Sequence, residues 1–285
     1  MSEKCFYHKG IPFPTLGYSE EILNYVGNEF QMLDDDIINV TYPKSGTNWM
    51  AQILSLIQHS GDTTWVYSAP VWQRVPWIEG IGGMMSALRC PPPRLLTSHL
   101  PLQLFPKSFI HSKAKIIFTM RNPKDAMISF YHGSKLLKLY KDPETLQEFL
   151  EEFLRGNVHY GSWFDHVKGW MKLKGRDNFF LVTYEELQQD LRGCVEKICR
   201  FLGKELTSQQ IDSVVENSSF QKMKDNKMCN FTLLPDTVMD HQKGPFLRKG
   251  ICEDWKNHLT PKQEEYFDSV YWEKMQDMSV AFPWD

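Results

Sequence analysis

The sequence predicts an α/β fold, a single domain in which helices flank a central parallel β-sheet. Short apolar runs alternate along the chain with segments of helical periodicity, which is the pattern of parallel α/β proteins. Of the 285 residues, 42% are hydrophobic and 24% are charged, a composition that can fill one large core. No repeat, low-complexity stretch or long linker divides the sequence. We therefore expect one domain over residues 1–285.

Four short apolar runs predict the strands of this sheet, at residues 37–42, 94–98, 115–120 and 178–183. The helix after the first strand is expected to begin near Thr47 and to stop near Gly61, because glycine often ends a helix. Pro123 suits the first turn of the helix after the third strand. Further helices are predicted at 192–202, 207–217 and 261–275, and the aromatic tail at 281–284 is expected to pack on the body of the domain.

Polar side chains follow each of the four predicted strands. They are Lys44, His99, Arg121 and Tyr184. In open α/β sheets, ligands bind at the carboxyl ends of the strands. The sequence therefore predicts that these four residues share one site.

The segment after the first strand reads Tyr-Pro-Lys-Ser-Gly-Thr-Asn-Trp, at residues 42–49. It forms a P-loop-like strand-loop-helix, in which the unpaired N–H groups and the dipole of the helix start favour an anion. Gly46 lets the backbone approach the anion, Lys44 adds a charge, and Ser45 and Thr47 add hydroxyl donors. Taken alone, the segment is equally compatible with an ordinary strand–helix connection.

The loop does not match the Walker A motif of nucleotide kinases. Lys44 precedes Gly46 instead of following it, and the first glycine of the motif is absent. A kinase also needs carboxylates for Mg²⁺, and no clear set is seen in the sequence. We therefore predict no metal, and a P-loop nucleotide kinase is the less favoured alternative.

Three segments in order resemble the cytosolic sulfotransferases. They are residues 42–49, the run Arg121-Asn122-Pro123-Lys124-Asp125 with Ser129, and Arg248-Lys249-Gly250 with 254–257. Segments 98–101, 160–166 and 217–220 are most similar to the hydroxysteroid and bile-salt (alcohol) branch. The resemblance implies transfer of a sulfuryl group from 3′-phosphoadenosine 5′-phosphosulfate (PAPS) to the hydroxyl of a small apolar acceptor, either a hydroxysteroid or a bile acid.

PAPS carries negative charge at its 5′-phosphosulfate and at its 3′-phosphate, so a protein that selects it needs two anion sites. Arginine forks match phosphate oxygens, and aromatic rings suit the faces of adenine. The resemblance implies that the cofactor contacts Lys44, Ser45, Gly46, Thr47, Asn48, Trp49, Arg121, Ser129, Tyr184, Ser218, Phe220, Met223, Arg248, Lys249 and Gly250.

Two residues are expected to carry the chemistry. A neutral imidazole can accept the proton of an alcohol near neutral pH, and the family's catalytic histidine falls at His99. Lys44 is expected to stabilise the charge that develops on the leaving phosphate oxygen. Lys107 is a further candidate near the sulfuryl group, but a solvated surface lysine is an equally good interpretation.

The resemblance places the acceptor in an apolar cavity above the sulfuryl group. The implied lining residues are Phe13, Pro14, Trp72, Trp77, Phe130, Tyr131, Leu233, Leu234 and Met239. Residues 234–245, which act as a lid in the family, are polar here and contain a Gly-Pro pair. The sequence therefore does not identify the steroid or bile acid.

The bulk properties restrict partners and compartment. A net charge of −3 and a pI of about 6.3 argue against nucleic acid as a partner. No apolar run approaches the ~20 residues of a membrane span, and the first residues do not resemble a signal peptide. The six scattered cysteines favour reduced thiols in the cytosol, with three disulfides as the alternative.

Two further expectations concern assembly and the rival functions. The family's dimer motif has its counterpart at 256–265, and the resemblance therefore implies a homodimer through this segment, although Pro261 replaces a valine and removes an N–H that an edge contact would need. A non-catalytic protein that binds PAPS or its product PAP would not need both Lys44 and His99. A Golgi carbohydrate sulfotransferase would carry an N-terminal anchor, and none is recognised in the sequence.

Overall fold

The computed structural model describes residues 5–278 and 280–285 and confirms the predicted α/β class. Strands β1 (Cys5–His8) and β2 (Ile11–Pro14) form a small antiparallel hairpin. The central sheet is entirely parallel and has the order β4-β3-β5-β6. Its strands are β3 (Ile37–Thr41), β4 (Leu95–Ser98), β5 (Lys115–Met120) and β6 (Phe179–Thr183).

Helices surround the sheet and end close to the predicted positions. In chain order they are α1 (Glu20–Asn28), α2 (Thr47–Gln58), α3 (Thr64–Ser68), α4 (Val71–Arg74), α5 (Ile81–Arg89), α6 (Pro123–Leu136), α7 (Leu146–Arg155), α8 (Trp163–Met171), α9 (Tyr184–Gln189), α10 (Leu191–Leu202), α11 (Ser208–Asn217), α12 (Phe220–Asp225) and α13 (Pro261–Met275). The sequence did not predict the hairpin or the helices α1, α3, α4, α5, α7, α8 and α12.

The register of the sheet brings the strand ends together. All five residues of β3 are buried, as expected for a central parallel strand covered on both faces. Thr41 pairs with Thr119 of β5, and Val40 pairs with Ser98 of β4. The loops that leave these strands therefore emerge at one edge, which is the edge predicted for the site.

The six cysteines are all free thiols, so the alternative of three disulfides is not realised. The aromatic tail packs on the body as predicted: Phe282 is buried, and the Trp284 indole N–H donates to the Tyr271 hydroxyl at 3.0 Å. Among the described residues, none of the helices combines the length and the apolar character needed to cross a bilayer.

Pro261 occupies the first turn of α13, behind the capping residue Thr260. The N–H of a residue at this position has no partner within the helix, so proline is well tolerated there. The structure thus gives Pro261 a local role as a helix start. The homodimer through 256–265 stays a prediction.

Candidate active site

A cavity of about 510 Å³ lies at the carboxyl ends of the sheet strands. One part is lined by the anion-binding loop and its surroundings: Lys44, Gly46, Thr47, Asn48, Trp49, Arg121, Ser129, Tyr184, Phe220, Met223, Arg248, Lys249 and Gly250. The other part is mainly aromatic and aliphatic: Tyr18, Trp72, Trp77, Leu137, Leu139, Tyr140, Tyr160, Phe231, Leu234, Val238, Phe246 and Leu247. His99 also lines this cavity.

The loop before α2 takes a backbone shape that exposes the start of the helix. Lys44 and Gly46 have φ values of 66° and 101°, in the left-handed region. A Cβ on Gly46 would lie 3.0 Å from the Tyr184 ring, so a side chain here would crowd the site. The Ser45 N–H donates to the Tyr42 carbonyl, and the Ser45 side chain is buried outside the cavity lining. The N–H groups from Gly46 to Trp49 are therefore the better anion donors.

The ammonium group of Lys44 lies among other cations. Burial, together with the nearby charges of Arg121 and Arg248, lowers its pKa to about 7. Its Nζ also lies 3.8 Å from the centre of the Phe246 ring. An anion bound here would offset the repulsion between the three cations and restore the charge of Lys44.

Arg121 is held in place by backbone carbonyls. Its guanidinium donates to Lys44 O at 3.2 Å and to Ile251 O at 3.0 Å, and it stacks 4.2 Å from the centre of the Tyr184 ring. The Arg121 Nε is buried and has no hydrogen-bond partner among the described residues. A phosphate oxygen is a suitable acceptor for this N–H. Ser129, on the adjoining helix α6, also faces the cavity.

Asp254 organises the segment that carries Arg248 and Lys249, since both side chains donate to it at 2.6 Å. Burial raises the pKa of Asp254, but the hydrogen bonds from Lys249 and Arg248 outweigh burial and hold the pKa well below its usual range. Asp125 on α6 accepts the backbone N–H groups of Glu253 and Trp255 at 2.6 and 3.0 Å. These contacts fix the basic segment against the helix that follows Arg121.

Flat and apolar side chains line the cavity beside these cations. Trp49 and Tyr184 meet edge to face at 5.1 Å, and Phe220 and Met223 of α12 face the same cavity. Gly250 packs directly on Phe220, with 2.2 Å from an added Cβ to the ring. This is the kind of wall expected for adenine.

Ser218 is not brought into this cavity. It is fully buried, and its hydroxyl donates to the Val214 carbonyl at 2.6 Å within helix α11. Ser219, the next residue, lines the cavity instead. Ser218 turns back to the last turn of its own helix, so of the two serines only Ser219 belongs to the cavity lining.

His99 has a defined tautomer. Its Nδ1 lies 2.9 Å from the Thr41 carbonyl, which can only accept, so Nδ1 carries the proton and Nε2 keeps its lone pair. The Thr41 hydroxyl lies 3.2 Å from Nδ1 and 2.7 Å from the hydroxyl of Thr47 at the start of α2. Burial lowers the pKa of His99 to about 4, and the charge of Lys44 also lowers it. The ring is therefore neutral at pH 7 and can accept a proton at Nε2.

The predicted acceptor residues divide into two groups. Trp72, Trp77 and Leu234 line the cavity. Phe13 and Phe130 pack behind it, with ring centres 5.4 Å from Tyr160 and 5.2 Å from Tyr140. The remaining predictions do not belong to the lining: Pro14, Tyr131, Leu233 and Met239.

The inner wall contains residues that the sequence analysis missed, namely Tyr18, Tyr140, Tyr160, Phe231 and Phe246. Of these, Tyr160 had a signal, because it begins one of the segments that carry the family resemblance. The others lie in segments without a recognisable motif. Lys107 is exposed and donates to Asn28 at 2.8 Å, so the structure does not bring it to the cavity.

The predicted lid segment packs against the end of α6. Lys138 N donates to Val238 O at 2.8 Å, and Asp240 N donates to Leu136 O at 2.9 Å. Met239 is buried beneath this short bridge, whereas Leu234 and Val238 face the cavity. The segment thus contributes two aliphatic side chains to the wall while its polar residues lie outside the lining.

Residues 34–279 match the family model described as the sulfotransferase domain. The chain belongs to the sulfotransferase family. Sulfotransferase 2B1 of Homo sapiens is 52% identical over 280 residues, which cover 98% of this sulfotransferase and 76% of the relative. Sulfotransferase 2A1 of Homo sapiens is 49% identical over the full length of both chains. The 3-beta-hydroxysteroid sulfotransferase of Cavia porcellus is 48% identical over 100% of this chain and 99% of the relative.

A solved structure supports the same assignment. The mouse sulfotransferase SULT7A1, complexed with PAP, superposes with a TM-score of 0.82 at 33% identity, over 98% of this sulfotransferase and 97% of that chain. The family model and the Cavia porcellus relative, which is by name a hydroxysteroid sulfotransferase, confirm the predicted family and branch. Nothing in the comparisons supports a nucleotide kinase or a non-catalytic binding protein.

Two findings bear on the other predictions. Within the described residues, no group of three or more His, Cys, Asp or Glu side chains is arranged to hold a metal ion. The family match begins at residue 34, so the extent of the domain over 1–285 stays a prediction.

Proposed function

We propose that this sulfotransferase moves the sulfuryl group of PAPS to the hydroxyl of a hydroxysteroid or a bile acid, with His99 as general base. The supporting observation is the shape of the cavity, in which a cationic, aromatic part adjoins an apolar part, with Lys44 and His99 both in its lining. PAP in a solved relative supports the cofactor, and the names of the curated relatives support a steroid acceptor.

In the proposed reaction, the acceptor oxygen attacks the sulfur of PAPS in line with the bridging oxygen. The bond from sulfur to that bridging oxygen breaks, and PAP leaves with the electron pair. The acceptor proton passes to Nε2 of His99, which is neutral and carries the lone pair. Lys44 and the first N–H groups of α2 stabilise the negative charge on the leaving phosphate.

The cofactor would span the two anion sites. The loop around Lys44 would hold the 5′-phosphosulfate, and Arg121, Ser129 and Arg248 would hold the 3′-phosphate. The acceptor would lie against the aromatic wall, which suits a rigid apolar body with one hydroxyl near His99. We further propose the cytosol as compartment, since all six cysteines are free thiols.

An acceptor screen with radiolabelled PAPS tests this proposal. We expect sulfated product from hydroxysteroids or bile acids, and much less from phenols and aliphatic amines, because an extended apolar wall favours a large rigid acceptor. Lys44→Met serves as the control for non-enzymatic transfer. Product formed only from phenols or amines would contradict the proposed acceptor, and no product from any class would contradict the proposed reaction.

A further inference from the structure

Glu79 is a carboxyl group in the core directly beside His99. Its side chain is fully buried, and its Oε1 accepts the backbone N–H of His99 at 2.6 Å. Its Oε2 is also buried and has no hydrogen-bond partner among the described residues. A buried carboxyl group is costly to desolvate, so its place next to the candidate base calls for an explanation.

The register of the backbone explains how Glu79 reaches His99. The stretch before Glu79 runs parallel to β4: Thr97 N donates to Pro76 O at 2.9 Å, and Ile78 N donates to Thr97 O at 3.0 Å. The next N–H of this ladder belongs to His99, and a regular parallel strand would offer it the carbonyl of residue 78. The Glu79 side chain accepts that N–H instead. The ladder thus ends at the residue where the chain leaves the sheet.

His99 is consequently held at two points. Glu79 fixes its backbone N–H, and the Thr41 carbonyl fixes its ring Nδ1. A small rotation of the backbone at residue 99 would move Nε2 away from the line of attack, and displacements of about 1 Å can cost about 10²-fold in rate. We propose that Glu79 is a positioning residue, which acts through the backbone of His99 to aim the imidazole at the acceptor hydroxyl. This inference rests on the proposed function.

The role requires an oxygen acceptor and not a charge. Burial raises the pKa of Glu79 to about 7, yet either protonation form retains an oxygen that can accept the His99 N–H. A glutamine supplies the same kind of oxygen at the same reach. Leucine has a similar size but no acceptor, and aspartate keeps the carboxylate but is one methylene shorter.

A double-mutant cycle with His99 tests the inference. We expect Glu79→Leu and Glu79→Asp to lower the single-turnover rate by about ten- to 10²-fold with PAP affinity unchanged, and Glu79→Gln to keep most of the rate. In the His99→Ala background, Glu79→Leu should have no further effect, because there is no base left to position. Two variants are used so that a failure of one to fold leaves the test intact.

Glu185→Leu is the matched control. Like Glu79, Glu185 accepts a backbone N–H, that of Asn122 at 3.0 Å, but Glu185 is only half-buried and does not contact His99. Glu185→Leu should change the single-turnover rate by the same factor in the wild-type and His99→Ala backgrounds. Equal rates for Glu79→Leu and wild type, or an effect of Glu79→Leu that persists without His99, would overturn the inference. A wild-type protein that transfers no sulfuryl group would instead overturn the proposed function.

Discussion

Lys44 and His99 are two titratable groups in the same cavity, and burial shifts the pKa of each downward. For the two side chains this shift has opposite consequences. A histidine with a lowered pKa remains neutral at pH 7 and can accept a proton, whereas a lysine with a pKa near 7 has lost part of its charge. Without a ligand, His99 is thus ready to accept a proton, and the charge of Lys44 depends on pH.

For His99 we expect His99→Ala to retain the fold and the affinity for PAP but to lose about 10²–10⁴-fold in single-turnover rate. In the pH–rate profile of the wild type, the fall in rate on the acid side should lie well below pH 6.5, because the pKa of His99 in the folded protein is about 4. Melting temperature, PAP affinity and single-turnover rate are measured on the same preparation. A near-normal rate in a folded variant that binds PAP would remove His99 from the proton path.

For Lys44 we expect PAP binding to take up protons at pH 7–8. Without a ligand, the pKa of Lys44 is about 7, and a bound anion raises that pKa. The affinity for PAP should therefore fall as the pH rises above 7. Calorimetry in buffers with different ionisation enthalpies measures the uptake. Lys44→Arg is the control, since arginine stays charged over this range and should show a smaller uptake. Equal uptake by both proteins would assign the protons to a group other than Lys44.

At the scale of elements, two segments far apart in the sequence meet at one glycine. Gly250 has a φ of 66°, and an added Cβ would lie 2.2 Å from the ring of Phe220 at the start of α12. Such a contact forces the ring to move, because a real Cβ is never found so close. The segment that carries Arg248, Lys249 and Gly250 therefore packs as one unit with the Phe220 ring.

We expect Gly250→Ala to weaken PAP binding by about five- to 150-fold, since stacking of a base on an aromatic ring contributes about 1–3 kcal/mol. Gly203→Ala is the matched control: its φ is 69°, but no atom lies within 4 Å of an added Cβ. The control reproduces the backbone strain without the displaced ring. If both variants lose the same affinity, strain alone accounts for the effect and Phe220 has no part in binding.

At the scale of the whole molecule, three buried histidines oppose folding in acid. Burial lowers the pKa of His99 and His159 to about 4 and that of His166 to about 3. The unfolded chain binds protons near the ordinary pKa of 6.5, whereas the folded chain does not until the pH is much lower. Their contribution to stability is therefore present above pH 6.5 and is lost as the pH falls through the folded pKa values.

We expect the free energy of unfolding to fall between pH 6.5 and pH 5, by up to about 1.4 kcal/mol per pH unit for each of these histidines. Urea unfolding at pH 7, 6 and 5 measures the slope. For His166→Phe we expect the free energy of unfolding to depend less steeply on pH, because phenylalanine takes up no proton on unfolding. The phenyl ring would occupy the place of the imidazole, 5.5 Å from the Tyr42 ring. Parallel pH profiles for the two proteins would contradict this account.

The sequence by itself determined the α/β class, the strand ends that build the site, and the loop from Tyr42 to Trp49. These features are local: a buried strand, a glycine at a helix start and a lysine beside it are encoded by adjacent residues. Trp72, Trp77 and Leu234 were expected in the inner wall, but the tertiary structure alone decided its remaining side chains. It placed Tyr140 and Tyr160 in the lining and Phe13 and Phe130 behind them.

The physical reason is that wall residues come from segments whose relative orientation no local pattern specifies. On a strand, neighbouring side chains point to opposite faces. A shift of one residue therefore moves a side chain from the cavity wall to the core, or the reverse. A shift of one residue also matters at the junction of α11 and α12, where the Ser218 hydroxyl turns back into α11 and Ser219 lines the cavity. Glu79 shows the same limit, because only the pairing of its segment with β4 brings its carboxyl group to His99.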